Sequence, residues 1–515
     1  MKKLIALAMV FCMLFAFGCA KQPAADEGSA GSAAEAADTS VLRTCFAKDV
    51  GTFNIFKTGS GVDLIFCRTL IGDPLLYLNN DFEFEGRVAE SYSVNEDQTV
   101  YTFNIRQGVK WHDGKDLTVD DVVYSLNLAR NGSLTSEFDG YITSIEAVDD
   151  KTVVVTLNQP YSSFLYSLFC FSAVVPNGAF EEGGDYNFEE HPIGTGPWMF
   201  ESYVPGDKII LKANPDYYLG KPAYDTLECR IMSDASAVTV ALETGELDIA
   251  AVSTSNYGLI KDNPDIKIAT VDLANLTFVG MDNQAGLFTD VNVRKAINYA
   301  IDKEGLNLVV NEGLCSVANG LSAPGVYGHN AEIPGYPFDL DKAKQYLADA
   351  GYPNGEGFPE FVIYTNEARQ KIAEFVQANM ADLGLKTTIE VMEANTFTER
   401  LKNRELDFFV TGLGPGVYAV NNAPILTSGM TYNFCDYSNA RVDELFALAA
   451  VSTDTQEVLD AYLEIDQLVQ EDAPYAPLFW SVHVWAYRSG LNLDKALHYT
   501  NSDDALPLNF VVPAA

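Results

Sequence analysis

The chain has 515 residues, several times the length of an ordinary domain, which predicts more than one hydrophobic core. Apolar residues make up 48% and charged residues 20%, a globular composition that excludes disorder, collagen-like repeats and a polytopic membrane protein. Lys and Arg number 33 against 71 Asp and Glu, and a net charge of −38 repels phosphate backbones, which excludes nucleic-acid binding as the main task.

Met1-Lys2-Lys3 is a short basic start, and Leu4 to Phe17 is an unbroken apolar run. As a helix that run spans about 21 Å, short of the about 30 Å hydrocarbon core, so residues 1–18 read as a secretion signal and not a membrane span. Gly18-Cys19 resembles a bacterial lipobox, although Ala16 stands where Leu is usual, and makes Cys19 the expected lipidation site. Residues 19–40 contain Ala, Gly, Ser, Pro and acidic residues with no large apolar side chain, the composition of a flexible tether. The expectation is a soluble body held just outside a membrane, touching it through the lipid anchor only.

Within the body, Tyr101, Phe103 and Ile105 alternate with polar residues, a half-buried strand after the turn Asn95-Glu96-Asp97. Asp113-Gly114 marks a turn. Thr118 and Asp121 form a capping box that opens a helix carrying Val122, Val123 and Leu126 on one face. A hairpin follows, from Ser144–Val148 through Asp149-Asp150-Lys151 to Val153, Val155 and Leu157. Asp339 to Gly351 is a further helix. Phe361–Tyr364, a helix over Ala368–Leu383 closed by Gly384, and Leu385–Val391 make a β-α-β unit. Strand and helix patterns alternate, which predicts α/β layers.

Motifs for chemistry are absent. The chain contains no HExxH, GxxxxGK[ST], GxSxG or CxxC. The glycine clusters at Gly194-Thr195-Gly196-Pro197 and at Gly412 to Gly416 do not complete a GxGxxG. His112, His191, His329, His483 and His498 include no pair at helical ligand spacing. Neither a metal nor another cofactor is expected, and no catalytic residue stands out. Besides Cys12 and Cys19, six cysteines remain (Cys45, Cys67, Cys170, Cys229, Cys315 and Cys435), and they allow either disulfides or buried free thiols.

The stretch Tyr101 to Leu126, YTFNIRQGVKWHDGKDLTVDDVVYSL, closely resembles the hallmark segment of the family 5 extracellular solute-binding proteins, the dipeptide, oligopeptide and nickel-binding group of ABC importers. Further matching pieces follow in family order: His191 to Trp198, Asn214 to Pro222, Ala241 to Asp248, Val293 to Asp302, Asp339 to Pro353 and Pro474 to Leu478. The resemblance implies an α/β fold of the periplasmic-binding-protein type II class, with two lobes, a hinge and an extra domain II. Domain I would comprise 41–82, 192–282 and 478–515, domain II 83–191 and domain III 283–477. The implied function is capture of a solute between the lobes, without chemistry, and delivery to ABC permease subunits by a monomeric receptor. His112 with Asp113-Gly114, and Gly194 to Pro197, are expected to carry architecture; the aromatic run Phe164 to Val175 reads better as core than as cleft lining.

Dipeptide-binding relatives place an Asp after Gly-Trp in domain III to hold the ligand's ammonium. Here Leu413 replaces that Trp, and no acidic residue occurs between Asp407 and Asp436. They also place an Arg just before the helix expected here at Ala368; Phe361 to Glu367 contains no Arg or Lys, and Arg369 falls within the expected helix. A cleft without either anchor suits a neutral, oligosaccharide-like solute or a longer peptide better than a free dipeptide. Tyr364, Leu413, Gly414, Tyr418, Asn421 and Asn422 are the expected ligand-binding residues, offering stacking faces and amide hydrogen bonds. An exported lipoprotein hydrolase and a receptor presenting its ligand to a membrane kinase are the competing readings.

Overall fold

The computed structural model describes residues 40–57, 61–79, 83–131, 140–182, 184–320, 322–324, 326–414, 419–498 and 506–514. The expected signal peptide, Cys19 and nearly all of the tether lie outside the described residues, as does Tyr418. Thr39 to Ala515 constitute one compact unit.

Its first sheet has four strands in the order Val41–Phe46, Thr226–Ile231, Lys208–Ala213 and Trp198–Val204, the first pair parallel and the others antiparallel. Leu42, Trp198, Ile209, Leu211 and Leu227 are wholly buried there, and Leu493 and Phe510 from the far end of the chain share their core. Alternation along each strand sends every second side chain inward, which is why segments so distant in sequence meet on one face.

A second, antiparallel sheet runs Ala89–Val94, Val100–Ile105, Thr152–Leu157 and Ile142–Ala147. Tyr101, Phe103 and Ile105 point inward, as their alternation predicts. The helix Val119–Asn131 starts where the capping box places it: the backbone N–H and hydroxyl of Thr118 donate to Asp121 at 2.8 and 2.9 Å. Beside it His112 is built into the frame. The Gly194 N–H donates to His112 Nδ1 at 3.2 Å and His112 Nε2 lies 3.0 Å from the Gly196 carbonyl, and burial pushes the imidazole down to about 4. A Cβ on Gly194 would stand 2.0 Å from the Ile71 carbonyl oxygen, so only glycine fits that approach.

The largest sheet is ordered Ile249–Val252, Tyr475–Arg488, Ile266–Met281, Phe408–Leu413, Phe361–Asn366 and Thr387–Met392, with Ser316–Val317 added on Tyr475–Arg488. Phe361–Asn366 lies parallel to both Thr387–Met392 and Phe408–Leu413. The two long strands pair antiparallel and run from one apolar core, with Ile266, Val484 and Ala486, into two others, with Val279, Met281 and Leu478 in one and Phe278 and Trp480 in the next. Between cores the register slips: Asp272 faces Val482 and Leu276 faces Trp480, so Leu273, Ala274 and Asn275 oppose Ser481 alone.

The motifs of the sequence mostly tie elements together. Tyr217 and Tyr218 donate to the buried Asp73 carboxylate at 3.3 and 2.9 Å, and burial pushes Asp73 up to about 7. All six cysteines of the body are free thiols, each shifted upward by burial where a shift is resolved. Among the described residues no group of His, Cys, Asp and Glu could hold a metal ion, and no helix is long and apolar enough to cross a membrane.

Candidate ligand-binding site

In sheets containing parallel strands, ligands are held beyond the carboxyl ends of those strands, where the chain turns away and leaves a crevice. Here those ends are Asn366 and Leu413. Strand Phe408–Leu413 buries Phe408 and Val410 on one face and Phe409 on the other. It finishes in Gly412-Leu413, with Gly414 directly after it, and alternation turns Gly412 to the face of Val410.

Each glycine leaves a gap that a polar side chain fills. A Cβ on Gly412 would stand 2.6 Å from an Nη of Arg369, and a Cβ on Gly414 would stand 2.1 Å from the Asn275 Oδ1. Asn275 reaches this position because Leu276 pairs with Leu413 and the bulge begins directly behind it.

Arg369 corrects the sequence reading. The helix expected from Ala368 begins at Gln370, because Glu367 to Arg369 form a tighter 3-10 turn and Arg369 itself has φ −118° and ψ 11°. Arg369 therefore stands just ahead of the helix after all. Among the described residues its guanidinium has neither hydrogen bond nor ion pair, and burial alone lowers its basicity. Five donors withdrawn from most of their water without an acceptor are costly unless a ligand supplies the anion. Nearby, Asn366 Oδ1 is buried without a partner at the end of its strand.

The other expected contacts are placed differently. Tyr364 is half-buried on the opposite face, its ring 5.4 Å beneath the Arg400 guanidinium, which also pairs with Glu390 and Glu405 at 3.6 and 3.2 Å. Leu413 is half-buried against that same core, and Gly414 is exposed. Asn422 is buried at the end of the short turn Ala419–Asn422, where its Nδ2 donates to Ser322 Oγ at 3.0 Å and its Oδ1 has no partner. Asn421 belongs to that turn, and its side chain lies outside the described residues, as Tyr418 does. The structure thus brings together Arg369, Asn275, Gly412 and Gly414, and leaves Tyr364 apart from them. Asn275 carries no sequence motif; a bulge and a long-range register were needed to find it.

Separate apolar cores linked by two long strands, with a mixed sheet whose parallel strands end beside Arg369, fit the type II class of binding proteins, whose solved members share this fold. Residues 83–433 match the middle region of the bacterial extracellular solute-binding proteins, family 5, and the chain belongs to that family. It is 27% identical over 517 residues to heme-binding protein A of Haemophilus influenzae, covering 94% of each chain. It is 29% identical over 423 residues to the oligopeptide-binding protein AppA of Bacillus subtilis, covering 76% of this chain and 77% of that one. The crystal structure of the ABC-transporter substrate-binding protein CtaP of Listeria monocytogenes superposes with a TM-score of 0.84 at 23% identity, covering 92% of this chain and 99% of the other. The chain is an extracytoplasmic solute-binding protein of an ABC importer and not an enzyme.

Proposed function

We propose that this chain is a lipid-anchored receptor, attached through Cys19, that captures a peptide-like solute bearing a free carboxylate and passes it to its ABC permease. The observation that carries this reading is the Arg369 guanidinium, largely withdrawn from water with no protein acceptor among the described residues. Peptides end in carboxylates, and an oligopeptide-binding protein stands among the relatives. A bidentate Arg–carboxylate pair supplies both affinity and orientation. The lobes divide at the bulge Leu273 to Asn275, opposite Ser481, rather than at residues 282 and 477, because the core partners of both long strands change there.

Titration calorimetry of the wild type and Arg369→Gln with tri-alanine tests the reading. Removing one partner of a desolvated charge pair costs about 2–5 kcal/mol, so the variant is expected to lose at least about thirtyfold in affinity. Equal affinities overturn it.

A second reading, a neutral oligosaccharide-like ligand or a longer peptide gripped by its backbone, has its own support. Leu413 replaces an expected Trp, and Phe408 to Cys435 contain no carboxylate for an ammonium. Binding of maltotriose that is insensitive to Arg369→Gln favours it.

A further inference from the structure

Gly412, in the strand, and Gly414, directly after its end, lie two residues or about 6.6 Å apart. Over the first lies Arg369 and over the second Asn275, so a cation and an amide are both brought to the same strand end. Asn275 is half-buried, and its side-chain amide makes no hydrogen bond with any described residue. A half-buried amide with one acceptor and two donors, all unused, resembles Arg369 in needing something from outside the chain. The long strand delivers it there by bulging, since Leu273 to Asn275 oppose one residue. An ordinary register would leave the ladder unbroken at this point.

We propose that Asn275 is a second ligand contact, and that with Arg369 it selects a solute carrying a carboxylate and, within about two residues of it, an amide. This rests on the carboxylate reading above and narrows it. The amide of Asn275 pairs with the ligand's peptide group while Arg369 holds the carboxylate. The amino end of the ligand is unread, because Phe408 to Cys435 contain no acid to receive an ammonium. The preferred class is therefore peptides and N-acylated amino acids whose amino end is free or blocked, with the carboxyl end obligatory.

Calorimetry with three probes tests this: tri-alanine, N-acetyl-tri-alanine and tri-alanine amide, against the wild type, Asn275→Ala, Gly414→Ala and Arg369→Gln. The acetylated peptide is expected to bind within about threefold of tri-alanine, and the amide at least about tenfold more weakly. Asn275→Ala is expected to weaken N-acetyl-tri-alanine by about three- to tenfold, the worth of one hydrogen bond. Gly414→Ala is expected to match it, because its methyl occupies the space of the amide oxygen without altering Asn275 chemically. Both variants are expected to keep the wild-type melting temperature without ligand. If Arg369→Gln weakens binding while Asn275→Ala and Gly414→Ala do not, Asn275 is not a contact and the carboxylate reading stands. If acetylation abolishes wild-type binding, the amino end is read and the proposed selectivity is wrong. A wild-type protein that binds none of the three peptides overturns the carboxylate reading itself.

Discussion

Lys303 shows how a single side chain sets a pH response. It is 4% exposed, and among the described residues its ammonium has one long contact, 3.4 Å to the Ala318 carbonyl. Burial, with no carboxylate opposing it, lowers its pKa to about 7. The unfolded chain takes up that proton near pH 10.4, whereas the folded chain resists it until about pH 7. The contribution of Lys303 to stability therefore falls as pH drops through that window and levels off below it. Lys303→Met removes the buried charge and is expected to stabilise the fold by about 2–4 kcal/mol at pH 6 and to flatten the slope between pH 7 and 10. Urea unfolding at pH 6 and 9 measures both; a variant with the wild-type slope means another group is responsible. Arg369 is the complementary case, a half-buried cation for which the proposed partner is the ligand. Its residue type is plain in the sequence, but its role depends on one 3-10 turn that hydrophobic periodicity does not register.

Among the elements, the motif Val293 to Asp302 illustrates what family motifs do in this chain. It forms the helix Val291–Ala300, capped by Asp290, and the buried Arg294 ties that helix to its neighbours. Arg294 Nη1 donates to the Phe288 and Thr289 carbonyls at 2.8 and 2.9 Å, Nη2 donates to the Asp472 carbonyl at 2.7 Å, and Nε lies 3.2 Å from both the Asp472 and Ala473 carbonyls. Those carbonyls end the helix Thr455–Asp472, where unpaired acceptors accumulate and a cation suits the dipole. Arg294→Met strands these acceptors and is expected to cost about 3–5 kcal/mol, read by urea unfolding without ligand. A loss below about 1 kcal/mol shows that water replaces the guanidinium without penalty. The capping boxes and hairpins need no such long reach: Thr118 meets Asp121 three residues away, so the sequence alone announces them.

At the scale of the whole molecule, two hydrogen bonds among the described residues join the segments flanking the second sheet to the helix Ala440–Val451 and the loop after it. The Ser162 N–H donates to the Ala450 carbonyl at 3.0 Å, and Gln98 Nε2 donates to the Thr453 carbonyl at 3.4 Å. The segments belong to separate cores, one around Tyr161 and Phe164 and one around Ala449 and Val458. Each such hydrogen bond contributes only about 0.5–1.5 kcal/mol. Gln98 has φ 49°, a left-handed conformation that Gly adopts freely, so Gln98→Gly deletes the side chain without straining the turn. The variant is expected to shift the ligand-free population about two- to tenfold toward parted lobes. Small-angle scattering reads this as a larger radius of gyration, and an unchanged radius shows that the contact does not hold the lobes. Among calls made from the sequence, the α/β class, the hairpin of the second sheet, the β-α-β unit and the family all stand. What residues a few positions apart can settle, the linear order of amino acids settled by itself: caps, turns, strand faces and family membership. The placement of Arg369 and Asn275 against Gly412 and Gly414 was decided by tertiary structure, because it depends on strands far apart in the chain coming into register and on a bulge that exists only once they pair.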